Sequence, residues 1–312
     1  MAKVSVIILT YGERANLLQG ALRSVQRQSY QDFEIVVVDD GSRGRTAEIV
    51  RHLGDPRIRY LRHPANRGEA AARNTGLKNS SGEYVAFLDD DDEWLPSKLE
   101  KQAALLDSSP ERVGLVYTGF WRIHGCTRDV LGRWIPDKRG NVYPAMCSEN
   151  WIGTPSTVLV RRRCLEAAGP FDETVFYGAD YDMWLRLARD FEVDYIAEPL
   201  VFYRVHENSM SANYNLLIRG KEDQIRRYGH LFARERKNYS RRHLSLGVLY
   251  CYNDQVWKGR EAFLKAIRLD PLNPRHYFNL GLSLLGARAF KKIKTFKENL
   301  GLTTPAQAPQ AR

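Results

Sequence analysis

The sequence has little cysteine and no long apolar run. Its 312 residues contain four cysteines, none of them in a CxxC pair, which argues against a metal-binding knuckle and a disulfide framework. Free thiols in a reducing cytoplasm are the expected state. No stretch approaches the roughly 20 apolar residues of a membrane-spanning helix, and the apolar run near the start is too short for the core of a signal peptide.

The sequence also lacks the phosphate loops of two large nucleotide-binding classes. No GxGxxG follows the first predicted strand, and no GxxxxGK[ST] occurs in the chain. A dinucleotide-binding Rossmann domain and a P-loop nucleotidase are therefore disfavoured. TYGERAN, which follows the first predicted strand, is a poor match to the glycine-rich, basic loop that a nucleotidyltransferase needs.

The first two thirds of the chain lack net positive charge, because residues 1–212 hold 27 Lys and Arg against 30 Asp and Glu. Residues 213–312 contain 20 Lys and Arg against 7 Asp and Glu, a balance of +13 within a total of +10. The two parts should therefore do different work. The basic part favours an anionic membrane surface or is a solvated face. Nucleic acid is not an expected partner, because no recognised binding motif accompanies the charge.

Apolar runs alternate with amphipathic segments over the first part of the chain, as in a parallel sheet whose strands are joined by helices. The predicted strands are 4–9, 34–38, 58–61 and 84–88, and the predicted helices are 15–28, 46–53 and 70–78. Further along, 115–121, 156–160 and 195–203 are strand-like and 180–189 is helical. We predict an α/β fold with a central, mostly parallel sheet flanked by helices.

Polar residues stand at the ends of three predicted strands. They are Thr10-Tyr11, Asp39-Asp40 and the run Asp89-Asp90-Asp91-Asp92. Ligands bind at the carboxyl ends of strands in such sheets, so these motifs should outline one cleft. Four adjacent carboxylates repel one another. The acidic run is therefore either a solvated loop whose last aspartate caps the next helix, or a site for a divalent cation.

Five stretches together resemble glycosyltransferase family 2, whose nucleotide-sugar-binding fold is called GT-A. They are VSVIILTYGER (4–14), EIVVVDDGS (34–42), NRGEAAARNTGLKNSSGEYVAFLDDDDEW (66–94), STVLVRR (156–162) and GADYDMWLRLA (178–188). They occur in the order of the family. The resemblance implies a GT-A catalytic domain over residues 1–212 and a nucleotide-diphosphate sugar, UDP-linked, as the donor.

The resemblance gives the acidic run a chemical purpose. The diphosphate of a sugar nucleotide must be neutralised before it leaves, and Mg²⁺ or Mn²⁺ held by carboxylate oxygens does this. In an extended backbone Asp89 and Asp91 would point the same way. By resemblance Asp91 is the first metal ligand, Asp89 and Asp90 reach the ribose or the waters of the ion, and Asp92 is a cap or loop residue. His206 is a further metal ligand or a pyrophosphate contact.

The other two strand ends are predicted to bind the nucleotide. Thr10 and Tyr11 follow the first strand, and Tyr11 offers a flat face for a base unless it is an ordinary packed aromatic. A carboxylate at Asp39 or Asp40 accepts the uracil N3–H, or else the pair forms an Asx-type turn. The family pattern favours Asp40. Arg73 pairs with phosphate or with the carboxylates.

A transferase also needs a base that deprotonates the acceptor hydroxyl. Two aspartates, Asp180 and Asp182, precede the apolar face of a predicted helix. By resemblance Asp180 is the catalytic base. Asp182 is explained by the preference for acidic residues in the first turn of a helix.

The C-terminal third is predicted to be an α-helical extension over residues 213–302. It contains a basic helical stretch, 215–242, and a segment, 244–286, that resembles a tetratricopeptide-like unit. Stacked repeats bury one another's faces, so one unit should pack on the catalytic domain or on a partner. Residues 303–312 are predicted to be a disordered tail.

The leading hypothesis is a metal-dependent, inverting glycosyltransferase acting on a sugar or lipid-linked acceptor in cell-surface polysaccharide or glycan synthesis. It would work in the cytoplasm or peripherally on the inner face of the membrane. The alternative is a non-catalytic nucleotide-sugar-binding or interaction protein that acts through its C-terminal helical unit. Loss of the acidic run or of Asp180 would have favoured this alternative, and both are present.

Overall fold

The computed structural model describes residues 2–206, 209–210 and 213–299, and the chain forms two compact units. The N-terminal unit contains the described residues of Met1–Tyr143 and Asn150–Val205, and the C-terminal unit those of Pro144–Glu149 and His206–Arg312. The predicted division between residues 212 and 213 stays a prediction. The predicted tail, 303–312, lies outside the described residues.

The N-terminal unit is built on a sheet with nine strands in the described part of the chain. They are β1 Val4–Thr10, β2 Phe33–Asp39, β3 Ile58–Arg62, β4 Tyr84–Asp89, β5 Glu93–Trp94, β6 Val113–His124, β7 Val130–Trp134, β8 Val158–Arg161 and β9 Glu192–Val205. The order is β3-β2-β1-β4-β8-β6-β9-β5, with β7 paired to β6. β8 is antiparallel to β4 and to β6, so β6 and its parallel neighbour β9 run in the direction of β1 to β4. The predicted mostly parallel sheet is confirmed.

Helices cover both faces of the sheet. They are α1 Ala15–Gln26, α2 Thr46–Leu53, α3 Glu69–Lys78, α4 Lys98–Ser108, α6 Arg162–Ala168 and α7 Ala179–Asp190. A further short helix, α5 Tyr143–Met146, lies where the chain passes from the N-terminal unit to the C-terminal unit. On β2, Ile35 and Val37 pack in the same core cluster as α1 and α4. Val36 and Val38 point to the other face, because side chains alternate along a strand, and pack against Ala72 of α3.

Helix α3 lies close to the sheet because a glycine stands at the contact. A Cβ on Gly76 would clash with Cγ2 of Ile7 on β1. Any larger residue would therefore push the helix away from the sheet. Arg73, nearly one turn earlier on the same helix, is thereby held where β4 ends and meets Asp89.

The predicted elements of the first 90 residues are confirmed, with ends shifted by at most two residues. The predicted strand 156–160 is wrong at its start, because Pro155–Thr157 form a 3-10 helix before β8. Proline stands at its first turn, and the side chain of Thr154 accepts a hydrogen bond from the backbone N of Ser156. Strand β7 was not predicted; its residues are largely exposed and lack the apolar run that marks a buried strand.

From Tyr214 onward the described residues of the C-terminal unit form helices joined by short turns. The helices are α8 Tyr214–Phe232, α9 Arg236–Tyr252, α10 Val256–Leu269, α11 Pro274–Leu284 and α12 Ala287–Asn299. The predicted helical stretch 215–242 thus contains parts of two helices. α9 and α10 approach closely, since a Cβ on Gly247 would stand 3.0 Å from the carbonyl oxygen of Gly259. No helix in the described ranges is long and apolar enough to cross a bilayer.

Candidate active site

The acidic run follows β4 in a turn. β4 ends at Asp89, residues 90 and 91 form the turn, and the N–H of Asp92 donates to the carbonyl oxygen of Asp89 at 3.1 Å. The expectation that an extended backbone points Asp89 and Asp91 the same way is therefore wrong. The turn still keeps the two carboxylates in electrostatic contact, and Asp91 contributes to a raised pKa of Asp89.

The run is not a solvated loop, because its second carboxylate is buried and fully engaged. Oδ2 of Asp90 accepts a hydrogen bond from Oγ1 of Thr10 at 2.7 Å, and Oδ1 accepts one from Nη1 of Arg14 at 3.2 Å. The same Nη1 lies 3.5 Å from Oδ2 of Asp91. Arg14 was missed by the sequence reasoning. Its only signal was its place at the end of the matching stretch 4–14.

Asp92 is a buried structural carboxylate. Its Oδ1 accepts a hydrogen bond from the backbone N of Arg204 on β9 at 3.0 Å. The Arg204 guanidinium donates to the carbonyl oxygen of Asp91 and to Oε1 of Glu93. The next helix, α4, begins at Lys98 with Ser97 as its N-cap, so the prediction that Asp92 caps a helix is wrong. Together Asp92 and Arg204 fix the turn to the neighbouring strand.

Burial makes the acidic run expensive to ionise. It raises the pKa of Asp89 to about 7 and that of Asp90 to about 6, and repulsion from Asp91 adds to both shifts. Arg73 opposes the shift of Asp89, and Arg14 opposes that of Asp90. A bound cation would offset the repulsion between these carboxylates and favour their ionised form. Carboxylate oxygens are preferred ligands of Mg²⁺ and Mn²⁺. The residues present therefore fit such an ion.

The described residues do not by themselves complete a metal cage. Among them, no group of three or more His, Cys, Asp and Glu side chains is arranged to hold an ion. Mg²⁺ sites commonly combine one or two carboxylates with water and substrate phosphates. The acidic run can supply the carboxylates of such a site. His206 belongs to the C-terminal unit, and its role as a ligand stays a prediction.

Arg73 joins the acidic run to the candidate base. Its guanidinium is 2% exposed and lies 3.0 Å from Oε2 of Glu69 and 3.5 Å from Oδ1 of Asp89. Burial lowers the pKa of Arg73, but the charges of Glu69, Asp89 and Asp180 outweigh it and raise the value above normal. Arg73 thus contacts Glu69 and Asp89, and its charge also interacts with that of Asp180.

The two aspartates at the start of α7 have different surroundings. Oδ2 of Asp182 accepts hydrogen bonds from Nε and Nη2 of Arg186 at 3.0 and 2.8 Å. Arg186 also donates to the backbone carbonyls of residues 168–170 and so ties α7 to the chain before it. Burial raises the pKa of Asp180, and Arg73 opposes the shift. The structure therefore connects Asp180 with the acidic run and gives Asp182 a structural partner.

The other predicted nucleotide contacts meet at the ends of β1 and β2. The backbone N of Asp40 donates to the carbonyl oxygen of Thr10 at 2.9 Å, and the next residue, Tyr11, has an exposed side chain. Oδ1 of Asp39 accepts a hydrogen bond from the backbone N of Ser42, three residues on, at 2.7 Å, and Oδ2 accepts one from the hydroxyl of Tyr60.

Asp40 is held in place by a loop that sequence reasoning did not connect with it. Its carboxylate accepts hydrogen bonds from the backbone N of Arg67 and of Gly68 at 2.9 and 2.8 Å. Nδ1 of His63 lies 2.7 Å from Oδ1 of Asp40, and Nε2 of the same ring lies 2.9 Å from Oγ1 of Thr75. His63 therefore links the candidate base-binding carboxylate to α3.

Comparison with known proteins gives a family match and named relatives. The family model described as glycosyl transferase family 2 matches residues 5–168. The uncharacterized glycosyltransferase RT0329 of Rickettsia typhi is 33% identical over 211 residues, which are 65% of this chain and 64% of that protein. The Escherichia coli UDP-Glc:alpha-D-GlcNAc-diphosphoundecaprenol beta-1,3-glucosyltransferase WfgD is 29% identical over 212 residues, 67% of this chain and 80% of that protein. The match spans less than two thirds of the length of the Rickettsia protein.

Two solved structures share the fold at low sequence identity. S. aureus TarS 1-349 in complex with UDP-GlcNAc has a TM-score of 0.62 at 18% identity, covering 96% of this chain and 92% of that one. The mannosyltransferase PcManGT from Pyrobaculum calidifontis in complex with GDP-Man and Mn²⁺ has a TM-score of 0.59 at 18% identity, covering 97% and 81%. These likenesses confirm the predicted GT-A fold.

Proposed function

The chain belongs to glycosyltransferase family 2, and we propose that it transfers a sugar from a nucleoside-diphosphate sugar to a hydroxyl group. The observation that carries the proposal is the charge network around Arg73, which contacts Asp89 and interacts with Asp180. The network relates the acidic run to a candidate base on another element. A transferase needs this proximity, because the hydroxyl must reach the sugar next to the leaving diphosphate.

The proposed reaction is a single displacement. Asp180 takes the proton of the acceptor hydroxyl, and the oxygen attacks the anomeric carbon on the face opposite the diphosphate. The new C–O bond forms as the bond to the diphosphate breaks, so the configuration inverts and the nucleoside diphosphate leaves with the bonding electrons. Burial raises the pKa of Asp180, which makes its carboxylate a stronger base at neutral pH.

We assign Asp91 and Asp89 as ligands of Mg²⁺ or Mn²⁺; the role of His206 remains the one predicted from the sequence. A bound ion of this kind would neutralise the diphosphate. The Mn²⁺ in the Pyrobaculum mannosyltransferase structure supports this class of ion. We also propose that Arg14, which lies against Asp90 and Asp91, contacts the same phosphates.

Uracil is the proposed base of the donor, and a sugar or a lipid-linked sugar is the proposed acceptor. The Escherichia coli relative is named for UDP-Glc and for a diphosphoundecaprenol acceptor, and the TarS structure holds UDP-GlcNAc. In this assignment Tyr11 stacks on the base, and Asp40 accepts its N3–H. The acceptor class would place the protein in cell-surface polysaccharide synthesis.

The test is a panel of UDP- and GDP-sugars, scored for release of nucleoside diphosphate and for transfer, with Mn²⁺, Mg²⁺ or EDTA. We expect turnover of a UDP-sugar that EDTA abolishes and Asp91→Asn strongly reduces. Asp137→Asn, which changes an exposed aspartate outside the site, should leave turnover unchanged. Full turnover in EDTA would contradict the metal assignment. A preference for GDP-sugars would contradict the assignment of uracil as the base of the donor. Binding without any turnover would support the non-catalytic alternative.

We further propose that the basic helices of the C-terminal unit associate with an anionic membrane surface, which suits a lipid-linked acceptor. The charge balance of +13 over residues 213–312 supports this. Salt should weaken the attraction, because the Debye length falls from about 10 Å at 0.1 M to about 3 Å at 1 M. Sedimentation with phosphatidylglycerol and phosphatidylcholine vesicles checks it. If the protein does not bind the anionic vesicles at low salt, the membrane proposal is wrong and the basic residues form a solvated surface.

A further inference from the structure

The loop that begins at His63 packs tightly on the bend that follows β2. The backbone N of His63 donates to the carbonyl oxygen of Asp39 at 2.8 Å. A Cβ on Gly41 would stand 2.7 Å from the carbonyl carbon of Ala65, and Gly41 has a φ of +84°, which glycine adopts readily and other residues do not. The loop and the bend are therefore held in one fixed arrangement.

The two carboxylate oxygens of Asp40 have different surroundings beneath this loop. Oδ1 accepts from two donors, Nδ1 of His63 at 2.7 Å and the backbone N of Arg67 at 2.9 Å. Oδ2 accepts from the backbone N of Gly68 at 2.8 Å, and this is its one donor among the described residues. A carboxylate oxygen has two lone pairs. Oδ1 is therefore saturated, whereas Oδ2 keeps one lone pair for a ligand.

The ring of His63 is fixed at both of its nitrogens. An ionised carboxylate only accepts hydrogen bonds, so Nδ1 carries a proton and donates it to Asp40. Nε2 lies 2.9 Å from the hydroxyl of Thr75 on α3. The side chains of His63 and Asp40 are 8% and 6% exposed, so water does not compete for these bonds. The ring thus determines which oxygen of Asp40 is occupied.

We propose that His63 is a positioning residue for the base of the donor: it saturates Oδ1 of Asp40 and leaves Oδ2 to accept an N–H of the base. This inference rests on the proposed function, in which Asp40 contacts the base. Uracil presents an N–H at position 3, whereas cytosine presents a lone pair there, which a carboxylate repels. The pair of His63 and Asp40 should therefore favour UDP over CDP.

Two substitutions of His63 separate the roles of its ring nitrogens. The amide nitrogen of His63→Asn is as many bonds from Cα as Nδ1 is, so it can still donate to Asp40. The amide nitrogen of His63→Gln corresponds to Nε2 and reaches toward Thr75 instead. A residue that only fills space would be replaced equally well, or equally badly, by both.

Calorimetric titration of the full chain with UDP and with CDP, in Mn²⁺, tests the proposal. We expect His63→Asn to bind UDP with an affinity close to that of the parent. In His63→Gln the affinity for UDP should fall about tenfold, the low end for a hydrogen bond to a charged group, and the preference for UDP over CDP should fall with it. His52→Gln, the same change at an exposed histidine of α2, is the control and should bind as the parent does.

The effect of His63 should also depend on Asp40. In an Asp40→Asn background, His63→Gln should cause no further loss of UDP affinity. Thermal unfolding of each variant establishes that it is folded at the temperature of the titration. Equal UDP affinities of His63→Asn and His63→Gln overturn the proposal, and so does an equal further loss in the Asp40→Asn background. A parent that binds UDP no more tightly than CDP contradicts the uracil assignment and overturns this inference with it.

Discussion

The two aspartates at the start of α7 allow catalysis and stability to be separated by isosteric substitutions. Asp182→Asn removes the charge of a carboxylate that is 3% exposed and paired with Arg186. Removing one partner of a buried pair costs about 3–5 kcal/mol. Arg186 is 21% exposed and keeps its contacts with backbone carbonyls. We therefore expect a loss of stability at the low end of this range, about 3 kcal/mol. At about 2–4 °C per kcal/mol, Tm should fall by roughly 6–12 °C.

Asp180→Asn should have the opposite profile. Loss of a general base typically costs about 10²–10⁴ in rate, which corresponds to about 3–5 kcal/mol of transition-state stabilisation. The fall should appear in kcat, with little change in donor affinity, because the base acts on the acceptor. Burial disfavours the charged form of Asp180, and Arg73 retains Glu69 and Asp89 as partners. Tm should therefore not fall.

The assay combines thermal unfolding with steady-state transfer kinetics for both variants, measured below the Tm of the weaker one. An active Asp180→Asn beside a correctly folded but inactive Asp182→Asn would show that the wrong carboxylate is assigned. A Tm for Asp182→Asn equal to that of the parent would refute the structural role of its pair with Arg186.

Two further predictions concern the acidic run. Arg73→Met leaves Asp89 without its buried cation, but Asp89 is 33% exposed, so we expect a loss below the roughly 3–5 kcal/mol of a fully buried pair in urea unfolding; an unchanged free energy of unfolding would contradict the role of Arg73. The native pKa values of Asp89 and Asp90, about 7 and about 6, lie above the roughly 3.9 of an unfolded Asp. The native state therefore binds more protons than the unfolded state between about pH 4 and pH 7, and metal-free protein should lose stability as the pH rises through this range. Tm measured across it should fall less steeply in Asp89→Asn than in the parent, and equal slopes would contradict the shift.

The sequence predicted the fold well where its signals are local. The apolar run of β4 and the aspartates after it are adjacent in the chain, so the position of the acidic run at a strand end could be read directly. The start of the helix at Asp180 could also be predicted from the sequence. The direction in which Asp91 points could not be predicted, because the strand ends at Asp89 and a turn replaces the expected extended backbone.

The sequence by itself determined the alternation of strands and helices, the family resemblance and the residue types at each strand end. Only the tertiary structure decided which charges meet. The guanidinium of Arg14 reaches Asp90 across 76 residues. The guanidinium of Arg204 likewise reaches Glu93 across 111 residues. Such contacts depend on which strands become neighbours in the sheet. Hydrophobic periodicity fixes which face of each element is buried, but it carries no information about the distance between side chains that are far apart in the chain.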